Sequence, residues 1–115
     1  MSNVLVIDQD HLAPDGKTRK FEGDDHGGAG VSFILVDAAP GGGPSLHRHP
    51  YAEVFVVQEG RATFFVDDDR HEVTAGQVVV VPAGRAHGFV NSGDGPLRQI
   101  DIHASPHFIT EWLDS

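Results

Sequence analysis

The chain has 115 residues, enough for one domain and little more, and its 39% hydrophobic and 22% charged residues are ordinary for a fold with a packed core. Seventeen acids against eight bases give a net charge of −9, which repels polyanions and argues against nucleic acid as a partner. The absence of cysteine excludes disulfides, thiolate nucleophiles and thiolate metal sites, and it suits a reducing cytoplasm, the expected location.

The N-terminal Val4–Ile7 run reaches only four apolar residues before Asp8, too short for a signal peptide or a membrane span. It is a candidate edge strand, or a strand donated to a partner. From Asp8 to Gly30 the chain is rich in Asp, Gly, Lys and His and reads as an irregular surface arm. Strand-like runs begin at Val31–Val36, which stops at Ala39-Pro40-Gly41-Gly42-Gly43-Pro44. Val54–Val57 and Ala62–Val66 follow, joined through Gln58-Glu59-Gly60-Arg61 as a plausible hairpin. Asp67-Asp68-Asp69 is read as a solvated turn before an extended Arg70–Val73.

Gln77–Val81 is a continuous apolar strand halted by Pro82-Ala83-Gly84, and His87–Val90 leads into the turn Asn91-Ser92-Gly93-Asp94-Gly95-Pro96. Leu97–His103 alternates, with Ile100 and Ile102 on one face and Gln99, Asp101 and His103 on the other. Ser105-Pro106 has the form of a helix N-cap followed by proline, which predicts a short C-terminal helix carrying Phe108, Ile109, Trp112 and Leu113 as an apolar stripe. Short strands with turn signals between them mark an all-β sandwich or barrel. The expected organisation is one domain: an edge strand and arm over 1–30, a barrel over 31–105 and a helix over 106–115.

Eight histidines invite a metal question. In His47-Arg48-His49-Pro50-Tyr51-Ala52-Glu53, residues 47, 49 and 53 share parity, so in an extended chain they face one side, with neighbouring same-face residues roughly 6.5 Å apart. Pro50 is expected to bend the carboxylate toward the imidazoles, and His87, just past the Pro82-Ala83-Gly84 turn, can supply a third ring. Three imidazoles and a carboxylate suit one divalent transition ion (Fe, Mn, Co, Ni, Cu or Zn) and suit Ca²⁺ or Mg²⁺ poorly.

The segment Gly41-x5-His47-x-His49-x3-Glu53-x6-Gly60 resembles the first cupin motif, and Gly76-x5-Pro82-x-Gly84-x2-His87-x3-Asn91 resembles the second. The short stretch between them is similar to that of small microbial cupins. The resemblance implies an all-β double-stranded β-helix (jelly-roll, or cupin) barrel. It also implies that His47, His49, Glu53 and His87 are metal ligands. Gly60 would then serve the hairpin turn, and Gly76 and Gly84 the sharp turns of the backbone.

Two uses of such a site differ in class. One is a metal-dependent enzyme acting on a small chelating molecule, with dioxygenase-type chemistry first and isomerisation, cyclisation or elimination as the alternative; Glu53 or His103 would move protons. The other is a binding module that holds a small ligand without turnover. His103 lines the pocket mouth in one reading and faces solvent or a partner in another, while Tyr51 is read as packing. Phe33, Phe55, Phe64 and Phe89 are read as barrel filling, and His11, His26, His71 and His107 as surface groups. A homodimer is expected, through Val4–Ile7 and the Trp112 helix.

Overall fold

Short β-branched and aromatic runs broken by glycine, proline and aspartate fold here into two antiparallel sheets. The computed structural model describes residues 4–113; positions 1–3 and 114–115, the ends of the predicted arm and helix, lie outside the described residues. In chain order the strands are β1 (Ala13–Asp15), β2 (Thr18–Glu22), β3 (Ser32–Ala38), β4 (His47–Arg48), β5 (Glu53–Glu59), β6 (Arg61–Val66), β7 (Asp69–Thr74), β8 (Val78–Val81), β9 (His87–Asn91), β10 (Leu97–His103) and β11 (Glu111–Trp112). One sheet has the order β1-β2-β3-β10-β5-β8 and the other β11-β4-β9-β6-β7. The sheets face each other as a jelly-roll sandwich and are not closed by a continuous ladder.

Between them lies a core of Phe55, Val57, Ala62, Phe64, Val73, Val81, Phe89 and Leu97. Phe55 meets Phe64 edge to face at 4.9 Å, and Phe64 lies 5.3 Å from Phe89. Phe33, expected with them, stacks instead on Phe21 at 4.5 Å and is only half-buried.

The alternation of β10 is as expected, yet its orientation is not what polarity suggests. Leu97, Gln99, Asp101 and His103 turn inward and Ile100 and Ile102 are half-buried. On neighbouring β5, Glu53, Phe55 and Val57 are the inward residues. The register pairs His103 with Glu53, Asp101 with Phe55 and Gln99 with Val57. The interior thus passes from polar at one end to apolar at the other, and the polar end is where a site is built.

Three expectations need correction. Residues 106–113 form no helix; the chain runs extended and ends in β11, which pairs with β4. Ser105 does make the local bond its capping signal implied, accepting from the His107 amide at 3.3 Å. Bonds to the barrel then pull the chain straight: Asp24 N–H to Pro106 O at 2.8 Å, Phe108 N–H to Glu22 Oε2 at 3.0 Å and Leu113 N–H to Leu46 O at 3.0 Å. A helix this short has too few internal bonds to resist them. The arm over 8–30 is not wholly irregular either, because β1 and β2 form a hairpin through Gly16, whose φ is +59°, and β2 pairs with β3. Val4–Ile7 is in no strand. Among the described residues no helix is long and apolar enough to cross a membrane.

Asn91, at the end of the second motif, is a structural staple. Its amide donates to Ala38 O and Gly95 O, each at 2.9 Å, and its oxygen accepts from the Gly93 amide. Gly60 has φ +86°, and a Cβ there would lie 2.4 Å from Pro96 O; Gly76 has φ +92° but open space around it. Gly76→Ala should therefore cost about 1 kcal/mol from the left-handed backbone alone. Gly60→Ala should cost roughly 1–3 kcal/mol more, from overpacking against a carbonyl that cannot move aside. Urea unfolding midpoints of the two variants check this order, and equal losses would refute it.

Candidate metal centre

The polar end of the interior is assembled from both sheets. His47 and His87 are register partners on β4 and β9 of one sheet, and Glu53 opens β5 of the other. His49 sits in the connection between them, so Pro50 lies within a crossover from sheet to sheet and not in one bent strand. His47, His49, Glu53 and His87 are all buried, and one donor atom from each lies within 4.8 Å of all the others.

Backbone carbonyls set the orientation of the rings. The Nδ1 of His47 faces Ser45 O at 2.7 Å, that of His49 faces Ile109 O at 2.8 Å and that of His87 faces Arg85 O at 2.9 Å. A carbonyl only accepts, so each Nδ1 carries the proton and each neutral ring turns a lone pair on Nε2 inward. There Glu53 Oε1 lies 3.0 Å from His87 Nε2 and 3.1 Å from His49 Nε2. The His49 contact is off the hydrogen-bonding line, which leaves a buried Nε2 without a hydrogen-bond partner. Inward-facing lone pairs around a carboxylate repel unless protons or a cation lie among them. The residues therefore fit a transition ion: the donors are nitrogen and carboxylate oxygen, buried, convergent and preoriented.

Charge behaviour follows. Burial pushes the Glu53 carboxyl up, but the imidazoles of His103, His49 and His87 outweigh it and hold the group far below the usual carboxylate range. Burial lowers His87, yet Glu53 and the Arg85 carbonyl raise it above the ordinary imidazole value. His47 is lowered by burial, with the neighbouring imidazoles adding to that against the Ser45 carbonyl.

His103 lines the pocket, not solvent. Its Nε2 is 3.0 Å from Glu53 Oε2 and its Nδ1 is 2.7 Å from Tyr51 Oη. Tyr51 is more than packing: its oxygen accepts from the Ile109 amide at 3.2 Å and its ring stacks on His49 at 5.0 Å. With the Tyr51 oxygen accepting from the amide, its hydroxyl proton is directed to His103 Nδ1, which leaves the His103 proton on Nε2, close to Glu53 Oε2 but, like His49 Nε2, off the hydrogen-bonding line.

The segment after β10 closes over this arrangement. Phe108 meets His103 edge-on at 4.8 Å, and Trp112 lies 5.0 Å from His47. The apolar stripe expected on a helix is thus spread along an extended strap against the histidines. Of the predicted surface histidines, His11, His71 and His107 are exposed, and His26 is half-buried against Phe21. A cavity of about 560 Å³ opens beside His47, His49, Glu53 and His103, walled by Ile34, Val36, Phe55, Phe89, Phe108 and Trp112.

Residues 34–103 match the family model described as Cupin domain. The chain belongs to the cupin family. This cupin is 40% identical over 81 residues to the polyketide synthase CurC of Streptomyces cyaneus, an alignment covering 69% of the chain and 52% of the relative. Its fold matches Bacillus subtilis oxalate decarboxylase with TM-score 0.76 and 25% identity, over 84% of this chain and 27% of that one. It matches a recombinant oxalate oxidase in complex with glycolate with TM-score 0.74 and 25% identity, over 87% and 56%. The chain spans only about half, or less, of the length of these relatives.

The sequence did not disclose the carbonyls of Ser45, Arg85 and Ile109, nor the inward place of Asp101, although its parity with His103 on β10 was a usable signal. A pH prediction follows from Glu53. Its folded carboxyl binds a proton only far below the ordinary value of 4.5, so the unfolded chain takes up more protons as the pH falls. The stability that Glu53 contributes is present above that ordinary value and is lost below it. In the metal-free protein, Glu53→Gln should flatten the loss of stability between about pH 5 and 3 by up to about 1.4 kcal/mol per pH unit. Urea unfolding across that range measures the slope, and parallel profiles for the two proteins would refute the assignment.

Proposed function

We propose that this cupin is a metal-dependent enzyme in which His47, His49, Glu53 and His87 hold one divalent transition ion that binds and activates a small chelating organic molecule. The observation that carries the reading is the inward turn of three imidazoles, fixed by backbone carbonyls, onto one carboxylate. Bound there, such an ion supplies a Lewis acid with coordination positions left for substrate and, if redox-active, a partner for dioxygen. Oxygen-dependent turnover is our first reading.

The chain's own groups supply the rest. Glu53 is kept ionised, and His103 stands beside it to hold or pass a proton, positioned from behind by Tyr51. Phe55, Phe89, Phe108 and Trp112 supply apolar wall beside the histidines. About 560 Å³ with largely apolar walls is far more room than a two-carbon dicarboxylate needs. This favours an enolic or phenolic chelator over a substrate like those of the oxalate enzymes. The similarity to CurC, named as a polyketide synthase, points the same way. His103, backed by Tyr51, would equally serve an isomerisation or cyclisation without oxidant, which is the second reading.

We further read the chain as a homodimer. Val78 and Val80 are well exposed on β8, an edge of the six-stranded sheet, and Leu5 and Val6 are exposed as well. Trp112 lies against His47 yet stays exposed, so it still offers apolar surface to a partner.

Metal analysis of protein purified without added metal should find one first-row transition ion per chain. Oxygen uptake with catechols and enolic diketones should then depend on it. Product formation without oxygen uptake would select the second reading, and tight binding with no turnover would leave a binding module. His49→Ala should weaken metal binding at least ~100-fold while the far-ultraviolet circular dichroism stays β-rich. A variant that binds metal as the parent does would remove the basis of the proposal.

A further inference from the structure

Asp101 lines the cavity beside Glu53 and His103, is 3% exposed, and lies outside the group of residues that converge to hold an ion. Its cross-strand neighbours are Ile34 on β3 and Phe55 on β5, both apolar and both in the cavity wall. Among the described residues it has no ion pair with lysine or arginine. Its hydrogen bond comes from Gln99, whose Nε2 donates to Oδ1 at 2.8 Å. Gln99 is itself buried, and its own oxygen has no hydrogen-bond partner.

The other charged and titratable groups lining the cavity are Glu53 on β5, His103 on the strand of Asp101, His47 and His49 beside Glu53, and Asp15 and Lys20 on β1 and β2 of the same sheet. Lys20 is turned to Asp15, at 3.9 Å. Burial, and then the Glu53 charge, push the Asp101 carboxyl well above its usual range, while Gln99 pulls the other way. Two buried polar side chains set among apolar neighbours give the fold nothing that a valine and a leucine would not supply better. What they do give is a polar point between Ile34 and Phe55 on the cavity wall, held in place by the amide. On β10, Asp101 is one same-face step, roughly 6.5 Å, from His103 and hence about a ring's width from the metal end of the cavity.

We propose that Asp101, braced by Gln99, contacts the substrate, hydrogen-bonding an oxygen beyond the chelating pair and so selecting chelators that carry a third hydroxyl or carbonyl oxygen. The inference rests on the function proposed above and specifies its substrate class as a polyoxygenated enol or phenol. A site built to hydrogen-bond one more oxygen discriminates strongly against the molecule that lacks it, because the buried partner is otherwise left unpaired.

Catechol, pyrogallol and hydroxyquinol, titrated calorimetrically into Mn(II)-loaded protein without oxygen, test this. In the parent and in Asp101→Asn, which keeps a polar contact, at least one triol should bind ~10-fold more tightly than catechol. In Asp101→Val that advantage should fall below about twofold. Mn(II) and catechol affinities should stay within about threefold of the parent, and the thermal midpoint should be unchanged or higher, since valine suits the strand and removes a buried polar group. A parent that does not prefer either triol, or an Asp101→Val variant that keeps the preference, overturns the inference. So does an Asp101→Val variant that melts earlier or loses Mn(II), since Asp101 would then serve the fold or the ion. A parent that binds no catechol at its Mn(II) centre would defeat the proposed function itself, and this inference with it.

Discussion

Glu53 is ionised inside a small protein, and the rest of the structure is arranged around that one charge. A buried carboxylate without compensation costs several kcal/mol, a large share of what a chain of this size has in net stability. Here it is surrounded by imidazoles whose ε-nitrogens lie within about 3 Å, and it remains charged. Protons on those rings can neutralise the cluster, and so can a divalent cation. The carbonyls of Ser45, Arg85 and Ile109 each hold on Nδ1 the one proton a neutral ring carries, so it is Nε2 of each neutral ring that is left to face a cation. The backbone, more than the ligand side chains, thus determines that the centre presents lone pairs.

That constraint explains why the termini fold as they do. Ile109 can reach His49 only if residues 106–113 run extended across the mouth, and β11 holds them there against β4, with Arg48 and Glu111 paired at 2.6 Å on the outside. The segment is anchored on its other side by the β2 end, through Glu22 and Asp24. A C-terminal helix would satisfy its own backbone but would leave His49 Nδ1 without its acceptor and Trp112 away from His47. Local capping by Ser105 is a modest term, and the strap outweighs it with several hydrogen bonds and two aromatic contacts.

Sequence reading found the four residues that converge here, His47, His49, Glu53 and His87, because their spacing is a local property of two short motifs. It found most strands from Val31 onward because turn residues punctuate them. It missed β1 and β2, where Thr18, Arg19, Lys20 and Glu22 make a polar strand whose partner, β3, is specified only by tertiary pairing. It misjudged the C-terminus because a capping signal says how a helix would start and nothing about competing partners far away in the chain. The inner face of β10 was the instructive case. Gln99, Asp101 and His103 alternate with isoleucines, and the ordinary rule turns the polar set outward. A buried cluster of imidazoles and a carboxylate, suited to a metal, inverts that rule over the stretch of strand that passes it.

The inversion also divides the labour along the barrel. From Val57 and Leu97 toward Phe64 and Val73 the interior is closely packed and apolar, and this half supplies the burial that holds the sheets together. From Phe55 toward Glu53 and His103 the same strands give up packing for a cavity and for polar groups that cost stability. Phe55 stands at the boundary, touching Phe64 and Phe89 on one side and His87 on the other at 5.9 Å. A fold of this size has room for such a cavity only because one end of each strand is spared from functional demands. Changes deep in the apolar half should therefore alter stability first, and changes on the cavity wall should alter ligand choice with the fold intact.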